Sequence, residues 1–221
     1  TGLAAWGPKT TLDLTDDELL ALFKDEPFDF APGDTFLYNN SAFYMLGMVV
    51  GEVSGTTYRE YIDAHLFEPL GLTRSSYCDE QQIIPGRAEG YEIHEGQLMN
   101  DAYLSMNQPG AAGALCSTVL DLLSWSSALR DGRVVSMLSY GQMTTSATLS
   151  DGSSTGYGFG LGLGSLEGNP AVSDGGGING FNTMMAYYPE SELDVVVLSN
   201  TNGDHPDRIA ETIAKWVHGI K

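Results

Sequence analysis

Tyr38 and Asn40 are the two residues whose types and spacing point most directly to chemistry. They follow a Pro32-Gly33 turn and come directly before a segment, 41–54, whose apolar residues recur at helical spacing. A phenol and an amide that project from a rigid turn can converge on one substrate atom, so the pair predicts a substrate site. The same pattern also occurs in structural roles, in which Tyr38 is a half-buried aromatic residue and Asn40 is a helix N-cap.

Three longer blocks around this pair resemble a known family. They read Pro-Gly-Asp-Thr-Phe-Leu-Tyr-Asn-Asn-Ser at 32–41, Leu-Gly-Met-Val-Val-Gly-Glu-Val-Ser-Gly at 46–55 and Leu-Phe-Glu-Pro-Leu-Gly-Leu-Thr at 66–73. The chain resembles the serine β-lactamase-like family, which includes class C β-lactamases, D-alanyl-D-alanine carboxypeptidases and related esterases. The resemblance extends from Thr1-Gly2-Leu3 almost to the C-terminus. It implies a serine hydrolase that acts on an ester, an amide or a peptide through an acyl-enzyme.

The resemblance implies a catalytic role for both residues of the Tyr-x-Asn pair. Tyr38 corresponds to the family's catalytic phenol, and Asn40 to the amide that orients the substrate's acyl group. A phenol has an unperturbed pKa near 10. It therefore acts as a base near neutral pH only where neighbouring cations stabilise the phenolate.

A second block, Ser173-Asp174-Gly175-Gly176-Gly177-Ile178-Asn179-Gly180-Phe181, resembles the strand that lines the family's site. The resemblance makes Asp174, Gly175, Gly176 and Gly177 the substrate and oxyanion wall, and we expect them to share a cleft with Tyr38. Asp174 stands where the family carries Lys or His. A carboxylate there raises the phenol pKa and repels carboxylate-bearing substrates. In the alternative interpretation, the glycines form only a tight turn and Asp174 is a turn acid.

The family's nucleophile motif, Ser-x-x-Lys, is absent from the 221 residues. In the family this motif precedes the segment that Thr1-Gly2-Leu3 resembles. We therefore expect the chain to be the C-terminal portion of a family member, to lack its nucleophile and to be inactive alone. The alternative function is a catalytically inactive β-lactamase-like binding module. A Gly-x-Ser-x-Gly motif is also absent, so the four histidines do not predict a Ser-His-Asp triad. Their spacing does not match that of metal ligands, so no metal site is predicted. No cofactor is expected.

The balance of charges restricts the partners of the chain. Ten Lys and Arg residues against 29 Asp and Glu residues give a net charge of −19. So acidic a surface repels nucleic acid and anionic lipid, and no apolar run is long enough to span a bilayer. The expected partners are a small-molecule substrate and either a complementing N-terminal fragment or a second copy.

Cys78 and Cys116 are expected as free thiols, with a disulfide as the alternative. The family resemblance favours a periplasmic or secreted location.

The order of the expected elements predicts an α+β fold. The pattern predicts helices over 16–24, 41–53, 57–67 and 118–129, strands near 157–164, 171–173, 181–188 and 194–199, and a final helix over 206–217. We expect a β-lactamase/transpeptidase-like architecture, in which a mostly helical lobe (1–150) packs against antiparallel strands and a C-terminal helix (151–221). The two form one interleaved catalytic domain, with a sheet left incomplete in this chain.

Overall fold

Helices and antiparallel strands make up the computed structural model, which describes residues 11–220. The helices are α1 (Asp16–Leu20), α2 (Asn40–Ser54), α3 (Tyr58–Ile62), α4 (Glu68–Leu70), α5 (Val119–Arg130), α6 (Met137–Met143) and α7 (Pro206–His218). The strands are β1 (Ser76–Tyr77), β2 (Tyr91–His94), β3 (Gln97–Asn100), β4 (Leu115–Cys116), β5 (Gly162–Leu166), β6 (Asn169–Ile178), β7 (Phe181–Tyr188) and β8 (Leu193–Ser199). The predicted mixed α and β composition is confirmed.

Two compact units divide the described chain. The first contains the residues up to Arg87 together with Ala102–Ser117, and the second contains Ala88–Asp101 together with the residues from Thr118 onward. Helices α5 and α6 belong to the unit that holds the sheet, and the division into two lobes at residue 150 stays a prediction.

Helix α2 is held in the first unit by its buried face. The Tyr44 hydroxyl donates to Asp16 Oδ1 at 2.6 Å, and the Tyr44 ring packs on the fully buried Leu19 of α1. Gly47 lies so close to Ala111 that any Cβ there would overlap it. The opposite side of α2 leaves four large apolar residues exposed: Met45, Leu46, Val49 and Val53.

Cys78 and Cys116 form a disulfide, so the expectation of two free thiols is wrong. The two-residue strands β1 and β4 are antiparallel, with Ser76 opposite Cys116, and the Cys78 N–H donates to the Ala114 carbonyl at 2.7 Å. This register brings the two Cα atoms to 5.4 Å, a usual separation for a disulfide. Strands this short leave no periodic signal, and the sequence separation of 38 between the cysteines concealed the pairing.

The second unit is built on a four-stranded antiparallel sheet in the order β5-β6-β7-β8. Helix α7 covers one face, where Ala210 and Ala214 pack against Ala186, Tyr188 and Val195 of the sheet. The predicted strands over 181–188 and 194–199 and the terminal helix are confirmed. Strand β5 starts only at Gly162, because the chain bends through Gly160 at a φ of 76° before it.

An ion pair joins α5 to the other face of the sheet. The two terminal guanidinium nitrogens of Arg130 donate to the Asp194 carboxylate, at 2.8 and 2.7 Å, and the guanidinium carbon lies 3.7 Å from the centre of the Tyr187 ring. The Ser126 hydroxyl also donates to Asp194 Oδ1 at 2.6 Å. The Arg130 and Asp194 side chains are only 20% and 16% exposed, so these contacts fix α5 against β8.

Arg130→Met is expected to lower the free energy of unfolding by about 3 kcal/mol, because Asp194 would keep a largely buried carboxylate without its cation. Urea denaturation followed by circular dichroism measures this change. Arg133→Met is the matched control: its half-exposed guanidinium lies 3.9 Å from Asp131, and its loss should cost less than about 0.5 kcal/mol. Equal costs for the two variants would contradict the role assigned to Arg130.

Candidate active site

The Tyr38–Asn40 segment leads directly into α2. Asn39 is the N-cap, since its Oδ1 accepts from the Ala42 N–H at 3.1 Å, and Asn40 is the first helical residue. The alternative role of Asn40 as the N-cap is therefore wrong. Tyr38 is 50% exposed, with its ring 5.4 Å from that of Phe43, and the Asn40 side chain is exposed. The start of α2 thus presents a phenol and an amide at the surface of the first unit.

Asp174, Gly175, Gly176 and Gly177 lie within strand β6, in the second unit. They pair with Met185, Met184, Thr183 and Asn182 of β7, in that order. The alternative interpretation of these glycines as a tight turn is wrong, because the hairpin turn comes later, between Ile178 and Phe181. Close neighbours favour glycine here: a Cβ on Gly176 would lie 2.8 Å from Thr183 Oγ1.

The Asp174 carboxyl has a perturbed acidity. Desolvation raises its pKa to about 6, and a hydrogen bond from the Gly175 N–H acts in the opposite direction. The residue is nevertheless exposed at the surface of the sheet, so its carboxyl is in contact with solvent. Near neutral pH it is mostly ionised and adds negative charge to this strand.

Ser191 and His218 form a serine–histidine contact that the sequence did not suggest. Ser191 Oγ lies 2.8 Å from His218 Nε2 and is within hydrogen-bond distance of the Tyr188 carbonyl at 3.3 Å. Which of the two atoms donates in this contact depends on the imidazole tautomer. His218 Nδ1 is buried without a hydrogen bond, and so lacks the acid that orients a catalytic histidine. This contact ties the β7–β8 turn to the end of α7.

In residues 11–220, no three His, Cys, Asp or Glu side chains converge as metal ligands. None of the helices in that range is both long and apolar enough to cross a bilayer. The candidate residues lie in two segments, Tyr38–Asn40 in the first unit and Asp174–Gly177 in the second, and that they form one site stays a prediction.

Comparisons with known proteins place both segments in a family. The beta-lactamase family model matches residues 1–219. The putative penicillin-binding protein PbpX of Bacillus subtilis is 27% identical over 187 residues, which cover 85% of this chain and 45% of that protein. A D-aminopeptidase of Gluconobacter oxydans is 26% identical over 171 residues, 77% of this chain and 32% of that protein.

A solved structure of a penicillin-binding protein homologue has a similar fold. The octameric penicillin-binding protein homologue from Pyrococcus abyssi superposes with a TM-score of 0.83 at 29% identity, covering 98% of this chain and 49% of that one. This likeness confirms the expected β-lactamase/transpeptidase-like fold. The chain spans half or less of the length of these three relatives. Because the family model matches nearly every residue and the fold agrees with it, the chain belongs to the beta-lactamase family.

Proposed function

We propose that this chain is part of a serine hydrolase that cleaves an ester or amide through an acyl-enzyme. The observation that carries the proposal is the exposed Tyr38–Asn40 pair at the start of α2, in a chain that the family model matches throughout. In this proposal Tyr38 transfers the proton of the nucleophile and Asn40 orients the substrate's carbonyl group. The backbone around Gly175–Gly177 supplies one donor to the oxyanion.

We further propose that the nucleophile comes from residues that precede Thr1 in the full-length gene product. Ser-x-x-Lys is absent from the 221 residues, and the relatives are about twice as long or longer. The exposed apolar side of α2 supports this, because such a surface is usually covered by further protein. That cover is either the preceding segment or a second copy of the chain.

A catalytically inactive binding module is the second candidate function. Asp174 favours it, because a carboxylate in the family's Lys or His position removes the cation that lowers the pKa of a catalytic phenol. The retained Tyr38 and Asn40 favour the hydrolase. The D-aminopeptidase among the relatives supports an amide or peptide substrate.

The disulfide supports an oxidising compartment as the site of action. Disulfides persist in the periplasm and in secreted proteins, and they are rare in the cytosol. Cys78 and Cys116 are the chain's two cysteines, and both are used in the bond. We therefore propose a periplasmic or secreted location.

Neutral esters are expected to be better substrates of the full-length gene product than carboxylate-bearing penicillins. Asp174 and the net charge of −19 both repel a substrate carboxylate. The test compares kcat/KM for a short acyl ester with kcat/KM for a penicillin at low ionic strength, and we expect a ratio of at least about 10.

Asp174→His provides the matched variant for this comparison, because it restores a cation at the same position. The ratio of the two kcat/KM values should fall toward one in this variant. Preferred turnover of the penicillin by the unmodified protein would contradict the proposed preference. Turnover of neither substrate would favour the inactive binding module.

A further inference from the structure

The Asn182 side chain lies beside the last residue of the Gly175–Gly177 segment. Asn182 of β7 pairs with Gly177 of β6, and a Cβ added at Gly177 would lie only 3.0 Å from Asn182 Oδ1. The same amide donates through Nδ2 to the Asn202 carbonyl at 3.0 Å and to the Asp204 carbonyl at 3.2 Å. An amide nitrogen carries two hydrogens, one for each of these acceptors. The Asn182 side chain therefore connects Gly177 to the turn between β8 and α7.

The turn between β8 and α7 is held against the β2–β3 hairpin of the same unit. Asn202 Nδ2 donates to the Asp101 carboxylate at 2.8 Å, directly after the hairpin. Asn200 Nδ2 donates to the Glu89 carbonyl at 3.0 Å, directly before it. The Tyr91 N–H donates to the Asn200 carbonyl, and the Tyr91 carbonyl accepts from the Asn202 N–H, both at 3.0 Å. The turn is thus tied to both ends of the hairpin.

The start of the hairpin also packs against the turn between β6 and β7. A Cβ added at Gly180 would lie 2.5 Å from the Gly90 Cα atom, and one added at Gly90 would lie 2.6 Å from the Phe181 ring. Such close approach requires glycine at both positions. Three chain segments therefore pack together at the Gly177 end of β6: the β6–β7 turn, the β8–α7 turn and the start of the hairpin.

This packing bears on the backbone to which the proposed function assigns an oxyanion donor. A donor of this kind is effective only if its N–H is held in position before the charge develops, to within roughly 0.5 Å. Glycine has more backbone freedom than any other residue, so the Gly175–Gly177 segment depends on its neighbours for a fixed position. Pairing with β7 holds the segment along its length, and the Asn182 amide joins its last residue to the turn beyond.

We propose that Asn182 is a positioning residue, which holds the Gly177 end of β6 so that its backbone N–H groups keep the orientation that an oxyanion needs. The inference rests on the proposed function in assigning the oxyanion to this strand. Asn182 touches no reacting atom and acts through Gly177. Loss of an interaction that matters only in the transition state lowers kcat and leaves KM nearly unchanged, and this is the signature expected for Asn182.

Asn182→Ala in the full-length gene product tests the proposal, because it removes both donor hydrogens. We expect kcat for a short acyl ester to fall roughly 10- to 100-fold, with KM changed by less than about threefold. Hydrogen–deuterium exchange should show the backbone amides of 174–178 exchanging about 10-fold faster. Asn169→Ala is the matched control, because Asn169 begins the same strand and its Nδ2 donates to the Leu166 carbonyl at 3.1 Å. It should leave kcat within about twofold and the exchange of 174–178 unchanged.

Asn182→Asp is a second variant that keeps the side-chain size. It places carboxylate oxygens against the Asn202 and Asp204 carbonyls, so kcat should fall at least as far as in Asn182→Ala. Unchanged exchange in both variants, a raised KM with unchanged kcat, or an equal fall in kcat in Asn169→Ala would overturn the inference. Exchange is measured without turnover. Faster exchange in a protein that cleaves no ester would uphold the role of Asn182 in holding β6 while the hydrolase proposal fails, and ester cleavage that neither variant affects would do the reverse.

Discussion

Tyr38→Phe in the full-length gene product is expected to lower kcat for a short acyl ester about 1,000-fold, with KM changed by less than about threefold. The variant removes only the hydroxyl, which the proposal uses to transfer the nucleophile's proton. The ring keeps its contact with the Phe43 ring, 5.4 Å away, so the entry to α2 should stay folded. Steady-state kinetics measures kcat and KM, and circular dichroism checks the fold.

Tyr61→Phe is the matched control for this variant. Tyr61 is a partly buried tyrosine on α3 of the same unit, and its ring contacts His65 at 4.5 Å. Its loss of a hydroxyl should leave kcat within about twofold. A fall in kcat of less than 10-fold would contradict the proton-transfer role of Tyr38. A raised KM with an unchanged kcat would make Tyr38 a substrate-binding residue instead.

The elements that carry the site could be located from the sequence because their signals are local. Thr15 and Glu18 form the capping box that starts α1, and Ser54-Gly55 ends α2 with Gly55 at a φ of 71°. Helix α1 still stops at Leu20 rather than Lys24, because Leu22 and Phe23 donate to carbonyls three residues back and tighten the chain. Boundaries of this kind depend on hydrogen bonds that residue type alone does not determine.

The contacts that organise the two units could not be predicted, because they join residues far apart in the chain. Ser126 and Asp194 are 68 residues apart, and nothing local marks either as a partner of the other. Helix α6 was missed for a different reason: it is short, and Gly141 interrupts its pattern. The disulfide was missed because β1 and β4 are only two residues long.

At the candidate site, too, local structure could be predicted from the sequence, but contacts between residues far apart in the chain could not. The sequence could place Tyr38 before a helix and Asp174 on a strand, because each lies in a recognisable block. It could not give the environment of Asp174, which depends on the neighbours that β7 and the sheet supply. That the Tyr38 and Gly175–Gly177 segments share one cleft stays a prediction.

Intact-mass analysis after treatment with a serine-directed acylating probe tests the proposal that the catalytic nucleophile belongs to residues outside these 221. We expect the purified 221-residue chain to gain no adduct, because it contains no Ser-x-x-Lys. The full-length gene product should gain one adduct per chain, located by peptide mapping on a serine that precedes Thr1. A stoichiometric adduct on the monomeric 221-residue chain would contradict the account, since one of its own serines would then be the nucleophile.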